Sequence, residues 1–225
     1  MCYSAEASFI ASGALAGCSV AIARLPKERG SLPLSLVPAF FAAHQFAEGV
    51  VWMNQDGVVS DTTKSIAVVF YALIAYVLWP IYIPFTAFWL ESDRRRRLII
   101  LICQGVGLWA GLTILVNIIR FPIGVTADCC NLAYQVRAPE MLLAPYLFAV
   151  SVPFLVSRQK SLMLFGIGIM LSCTTAAYLA SMTAFPSVWC FFAAILSGGL
   201  YLHFRYEARR SSLKLQTSEH LGEVV

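Results

Sequence analysis

The chain has 225 residues, of which 59% are hydrophobic and only 12% are charged, and its mean hydropathy is +0.74. Soluble domains carry about 25% charged residues, so this composition excludes an ordinary soluble protein and indicates an integral membrane protein in a lipid bilayer. The net charge of +4 comes from lysine and arginine residues between the apolar segments. That placement favours contact with lipid headgroups and argues against a nucleic-acid partner.

Seven apolar stretches are each close to the length of about 20 residues that crosses a bilayer as a helix. They cover residues 5–23, 34–54, 65–90, 98–119, 140–157, 161–182 and 186–205. Because the hydrocarbon contains no water, each stretch must satisfy its own backbone as a helix. The sequence therefore predicts an all-α transmembrane bundle over residues 1–205, followed by a flexible cytoplasmic tail over residues 206–225.

Basic residues set the orientation of these seven helices. All but three of the 16 lysine and arginine residues fall on one side of a seven-span bundle, and the exceptions are Lys64, Arg120 and Arg137. Loops rich in lysine and arginine stay in the cytoplasm. We therefore expect the N-terminus outside and the C-terminus inside.

The second span carries the most unusual polar residues of the chain. His44, Gln45, Glu48 and Trp52 are spaced by one, three and four positions, so on a helix they share one face. An ionisable side chain at membrane depth is costly unless it is paired, neutralised or hydrated, and it is a functional candidate by default. This face is the predicted site.

The first span begins close to the predicted site. The short connection between the first two spans makes them antiparallel neighbours, so Cys2 and Glu6 would lie on the outer side with Glu48 and His44 below them. These four residues could line one funnel from the outer face. In the alternative interpretation Ser4 only caps the first helix and Glu6 complements its dipole.

The opening Met-Cys-Tyr-Ser-Ala-Glu-Ala-Ser and the second-span His-Gln-Phe-Ala-Glu-Gly-Val-Val-Trp resemble a family of uncharacterised bacterial multi-span membrane proteins. The match covers mainly residues 1–54, and Tyr3 stands where the family usually has Phe. The resemblance implies a bacterial cytoplasmic (inner) membrane location. It also marks a set of signature positions without a known activity: Cys2, Ser4, His44, Gln45, Glu48 and Trp52.

The side chains near the second span form a ligand set for a transition metal ion. Such ions accept thiolate, imidazole and carboxylate ligands, so His44 and Glu48 could face one ion from successive turns, with Cys2 and Glu6 closing the site. A haem is disfavoured, because His203 lies at the opposite end of the bundle, too far in depth to be the second axial ligand. Two alternatives are a substrate or proton pathway, and a polar clasp between helices.

The longest outer loop, residues 121–139, carries Cys129 and Cys130. In an oxidising periplasm either residue could form a disulfide with Cys2, which would hold the loop over the funnel as a lid. Alternatively these thiols could complete a metal site.

The sequence thus predicts a membrane protein with an outward-facing polar pocket that binds a metal ion or cofactor. If the protein is an enzyme, Glu48 is the expected general base and His44 its partner. A small-solute or proton-coupled transporter and a structural or accessory subunit are the other hypotheses. The sequence leaves open a small-molecule or ion ligand, a homo-oligomer and a larger membrane complex.

Overall fold

The computed structural model describes residues 4–27, 29–128, 131–179 and 184–222, and this part of the chain is mainly helical. Ten helices and one two-stranded hairpin follow in chain order. They are α1 (Ala5–Ala23), α2 (Leu32–Ser35), α3 (Val37–Gln55), α4 (Asp61–Ala72), α5 (Trp79–Leu90), α6 (Arg94–Arg120), β1 (Gly124–Asp128), β2 (Asn131–Gln135), α7 (Leu143–Leu155), α8 (Lys160–Leu179), α9 (Phe185–Gly198) and α10 (Leu200–Gly222).

Six helical segments among the described residues are long and apolar enough to cross a membrane. They are Ala5–Ala23, Leu32–Gln55, Asp61–Leu90, Arg94–Arg120, Lys160–Leu179 and Phe185–Arg210. The predicted fifth span appears as α7, which has only 13 residues. At about 1.5 Å per residue α7 is about 20 Å long, shorter than the hydrocarbon core of about 30 Å. The structure is compatible with a membrane protein, and the count of seven spans and its orientation stay predictions.

The two ends of the bundle differ in character. One end carries the β1–β2 hairpin, whose antiparallel strands pair Gly124 with Gln135 and Val125 with Tyr134; we call it the hairpin end. The other end carries the arginine-rich start of α6, and we call it the basic end. The hairpin lies within residues 121–139, the predicted outer loop, and is a small addition to a structure that is otherwise consistent with the predicted all-α bundle.

At the basic end, a buried carboxylate joins two connections that are far apart in sequence. Glu91 accepts hydrogen bonds from the backbone N–H groups of Ser92 at 2.9 Å and Arg158 at 3.1 Å. The guanidinium of Arg96 donates to the carbonyl of Val156 at 2.8 Å. The end of α7 is therefore fixed against the start of α6 by side chains that satisfy otherwise unpaired backbone groups.

Between α4 and α5 the chain forms a π-helical turn over Leu73–Leu78. In a π-helix the carbonyl of residue i bonds to the N–H of residue i+5. For Ala75 that residue is Pro80, which has no N–H. The hydroxyl of Tyr146 on α7 donates to the Ala75 carbonyl at 2.5 Å instead, so the proline's missing bond is replaced by one between helices.

Two glycines of α6, spaced four residues apart, pack closely against the α4–α5 segment. A Cβ added to Gly107 would lie 1.8 Å from the carbonyl oxygen of Pro80, and one added to Gly111 would lie 3.2 Å from the carbonyl of Val77. The similar pair in α1, Gly13 and Gly17, has nothing within 4 Å. Within the described part of the chain, α1 therefore makes no close helix contact at these two glycines.

The last helix continues past the predicted end of the bundle. The helix α10 runs from Leu200 to Gly222 without interruption. The division of the chain into a domain over 1–205 and a tail over 206–225 stays a prediction.

The contact at Gly107 can be tested by comparing alanine substitutions at Gly107 and Gly105 on the same helix. In Gly107→Ala the new methyl group would overlap the Pro80 carbonyl, and we expect a loss of about 1–3 kcal/mol or more in the free energy of unfolding because backbone cannot move aside cheaply. Gly105 has open space around it, so Gly105→Ala should be neutral or stabilise the helix by up to about 1 kcal/mol. Unfolding of both variants in detergent measures the difference. Equal melting temperatures would contradict the packing described.

Candidate functional site

The candidate site lies on α3, which packs between α1, α4 and α9. The side chains of His44, Gln45 and Glu48 are fully buried at 0% exposure, and Trp52 is buried at 8%. The predicted common face therefore points into the bundle rather than to lipid. A face that carries an imidazole, an amide and a carboxylate is enclosed by the protein, as ionisable groups within membranes generally are.

The helix α1 covers one side of α3, as the short connection between them predicts. Gly49 permits the close approach, because a Cβ at this position would lie 2.8 Å from the ring of Phe9. The hydroxyl of Ser12 donates to the carbonyl of Ala42 at 2.8 Å. These contacts exclude lipid from the α1 side of the site.

Glu48 connects α3 to α9. The hydroxyl of Ser187, in the first turn of α9, donates to Glu48 Oε1, and the Gln45 side-chain amide donates to Glu48 Oε2 at 3.4 Å. Ser187 is itself fully buried. The carboxylate is thus held by donors from its own helix and from a helix 139 residues later in the chain.

His44 is held by ring packing rather than by hydrogen bonds. Its ring stacks on Tyr71 of α4 with centroids 4.1 Å apart and meets Phe41 edge to face at 6.4 Å. Neither ring nitrogen has a hydrogen-bond partner among the residues that the structure describes. Since buried polar atoms in proteins are nearly always paired, the hydrogen-bonding capacity of this imidazole is left unused by the described side chains.

The hairpin closes the site at its own end of the bundle. Tyr134 of β2 stacks on Tyr71 with centroids 3.9 Å apart and an interplanar angle of 3°, and both rings are buried. His44, Tyr71 and Tyr134 therefore form a continuous column of three stacked rings, which we call the aromatic column. The predicted outer loop thus contributes the outermost ring of this column.

The structure does not bring all of the predicted site residues together. Glu6 is exposed on α1 whereas Glu48 is fully buried, so Glu6 is not a member of the buried cluster. Ser4 caps α1 by accepting a hydrogen bond from the N–H of Ala7 at 3.2 Å, which is the alternative interpretation given above. Cys2, Cys129 and Cys130 lie outside the described residues.

Sequence reasoning missed two members of the site, Ser187 and Tyr134. Ser187 follows Pro186 at the start of α9, a position where a serine usually signals only a helix start. Tyr134 lies in a segment without a clear strand pattern. Neither residue carries a local signal that would identify it, because each joins the site only through tertiary packing.

The described residues contain no group of three or more histidine, cysteine, aspartate or glutamate side chains positioned to hold a metal ion. Within this part of the chain, His44 and Glu48 stand as a two-residue set on successive turns of α3. Any metal ion held here would need a further ligand from outside the described residues or from solvent.

Comparison with known proteins gives a family but no activity. No curated protein matches the chain, and no solved structure matches it. The family described as of unknown function, DUF6629, matches residues 1–216. Because this match extends over nearly the whole chain, the protein belongs to the family of unknown function DUF6629.

Proposed function

We propose that this protein is a membrane-embedded binding protein whose ligand, a transition metal ion, is held by His44 and Glu48. One observation carries the proposal: the imidazole of His44 is fully buried and neither of its nitrogens has a partner among the described residues. A buried donor or acceptor left unpaired costs about 1–3 kcal/mol. A bound ligand would remove that cost, which is the physical reason to expect one.

The chemistry of the two side chains favours a cation. A neutral imidazole offers one nitrogen lone pair, and a carboxylate offers oxygen ligands. Imidazole and carboxylate together suit zinc, iron and similar ions. The stacking of His44 on Tyr71 fixes the plane of the ring, so its lone pair would have a defined direction.

Cys2 is the proposed further ligand. Ala5 packs in the same buried cluster as Ala47, Tyr71 and Cys190, so the start of α1 lies beside the site. Three residues of extended chain reach up to about 10 Å, a span that would allow a thiol at position 2 to approach the site from the start of α1. Catalysis at such a site would use the same pair, with Glu48 as general base.

Metal content tests the proposal directly, and the chain offers a matched control. His203 is the other buried histidine described, and its ring accepts or donates a hydrogen bond with Ser161 at 2.9 Å. We expect a transition metal at close to one per chain in gently purified wild type and in His203→Ala, and its loss in His44→Ala. Elemental analysis by mass spectrometry measures all three.

The opposite outcome is also defined. Metal binding would be overturned if neither wild type nor His44→Ala contained a transition metal, even after incubation with zinc or iron(II) and desalting. The remaining readings would then be proton-coupled transport, in which Glu48→Gln abolishes flux in proteoliposomes while folding is intact, or a purely structural role.

A structural role is the second candidate function, and the Glu48–Ser187 hydrogen bond favours it. This bond joins α3 to α9 across the centre of the bundle, as a clasp in an accessory or scaffold subunit would. Hydrogen bonds between membrane helices contribute about 0.6 kcal/mol on average and up to about 2 kcal/mol. The bond is therefore strong enough to affect the stability of the bundle. It does not explain why the ring nitrogens of His44 lack partners.

A second buried serine of α9 provides a control that distinguishes loss of the interhelical bond from general effects of a serine-to-alanine substitution. Ser197 is fully buried like Ser187, but its hydroxyl donates within α9, to the carbonyl of Ala194 at 2.7 Å. We expect Ser187→Ala to lower the free energy of unfolding by about 1–2 kcal/mol more than Ser197→Ala, because it leaves a buried carboxylate oxygen without that donor. Reversible unfolding in mixed micelles measures both. Equal losses would show that the interhelical bond does not stabilise the bundle.

A further inference from the structure

A large cavity lies at the hairpin end, apart from the His44–Glu48 pair. Its volume is about 670 Å³, within the range of about 300–1,000 Å³ that is typical of small-molecule sites. Its walls include five aromatic rings and one thiol beside aliphatic side chains: Tyr76, Tyr134, Tyr146, Phe185, Trp189 and Cys190. The cavity thus has the size of a ligand site and presents several aromatic rings to its interior.

The two inner rings of this cavity are held in place by hydrogen bonds to other helices. The hydroxyl of Tyr146 donates to the Ala75 carbonyl at 2.5 Å, and the indole N–H of Trp189 donates to the hydroxyl of Ser172 at 3.1 Å. The two rings also meet edge to face, with centroids 6.0 Å apart. Their polar atoms are therefore occupied elsewhere, and the walls are fixed before any ligand arrives.

The remaining rings extend the same surface. Phe185 stacks on Trp189 with centroids 5.6 Å apart and an interplanar angle of 27°, and Tyr134 is held by its stack on Tyr71. Rings that are themselves stacked have restricted orientations. A flat, ring-containing ligand gains offset-stacked or edge-to-face contacts with such rings beyond the effect of simple burial.

The exposure of the lining residues distinguishes the mouth of the cavity from its inner wall. Gln135, which lines the cavity, is an exposed residue, whereas Tyr146, Trp189 and Cys190 are buried. A smaller apolar space of about 40 Å³ shares these three residues and lies farther into the bundle. A ligand with an apolar ring system and one polar substituent would therefore place the rings inward and the substituent outward.

From these walls we propose a second binding site, in which the cavity at the hairpin end takes a planar fused-ring aromatic molecule bearing one polar substituent. Tyr146 and Trp189 contact the inner face of this molecule. Tyr134, the outermost ring of the aromatic column, contacts the side of the molecule nearest to it. The proposal does not depend on the metal ion at His44 and Glu48, because none of its contacts uses either residue.

The test is equilibrium binding to the full chain in lipid nanodiscs, with empty nanodiscs as the partition background. The probes are radiolabelled 2-naphthol and its saturated counterpart decahydro-2-naphthol, which has the same carbon skeleton and hydroxyl but no aromatic ring. We expect saturable binding of 2-naphthol, and binding of the saturated compound weaker by about tenfold or more, the equivalent of one to two aromatic contacts.

Substitutions that fill the cavity locate the site. Ala138 and Leu143 both line the cavity, and Ala138→Trp or Leu143→Trp should each weaken 2-naphthol binding by about tenfold or more by occupying its space. Ala127 of β1 is exposed and does not line the cavity, so Ala127→Trp should bind as wild type does. The two filling variants are independent, so one that fails to fold leaves the other to decide.

The outcomes separate this proposal from the metal site. His44→Ala should retain 2-naphthol binding even where it loses metal, and a wild type without metal should still bind 2-naphthol. Three results would overturn the aromatic site: no saturable binding above empty nanodiscs, equal binding of the saturated compound, or undiminished binding to a folded filling variant.

Discussion

A polar atom buried in this bundle needs a hydrogen-bond partner from the protein, because the core between apolar helices holds no bulk water that could serve as one. The described structure meets this constraint mostly by bonds from side chains to backbone. Gln104 of α6 donates to the carbonyl of Ile81 at 3.1 Å, and Tyr82 donates to the carbonyl of Pro33 at 2.6 Å. Such bonds join neighbouring helices while they satisfy individual groups, so the same contacts hold the bundle together.

Several buried polar atoms have no hydrogen-bond partner among the described residues, including Trp52 Nε1 and the Tyr71 hydroxyl, and His44 is the described residue in which both side-chain nitrogens lack one. The ring is held tightly, between Phe41 and Tyr71, so its position is not the result of loose packing. Its nitrogens are nevertheless unmatched among the described residues, while Glu48 one turn away receives two donors. The carboxylate therefore has partners while the neighbouring imidazole has none, and this contrast is the reason to propose a ligand at His44.

The sequence allowed the buried face of α3 to be predicted but not its surroundings. The spacing of His44 and Glu48 is local, and a helix converts local spacing directly into a common face. The place of Glu6 could not be predicted, because α1 is apolar on all sides and buries only a narrow stripe, Ala5, Ser8, Leu15 and Ile22. With no periodic pattern, nothing in the sequence indicates which side of α1 faces the bundle.

Site residues that come from distant elements could not be predicted from the sequence, for a related reason. Ser187 bonds to Glu48 only because α9 lies against α3, and that arrangement depends on every helix between them. Tyr134 becomes a buried ring only because the hairpin folds against the bundle and buries Leu132 as well. Propensity in a single strand is weak compared with such packing, so the loop interpretation was the natural one and the hairpin was missed.

Pro80 shows how a missing backbone donor in one helix can fix the position of a side chain on another helix. Pro80 cannot donate to the Ala75 carbonyl, and this leaves an acceptor on the inner side of the α4–α5 segment. Tyr146 of α7 supplies the missing donor, and in doing so its ring is fixed at an angle of 69° to that of Trp189. The residue that interrupts one helix therefore fixes a ring on another, and the aromatic wall of the cavity at the hairpin end is a consequence of backbone hydrogen bonding as much as of apolar packing.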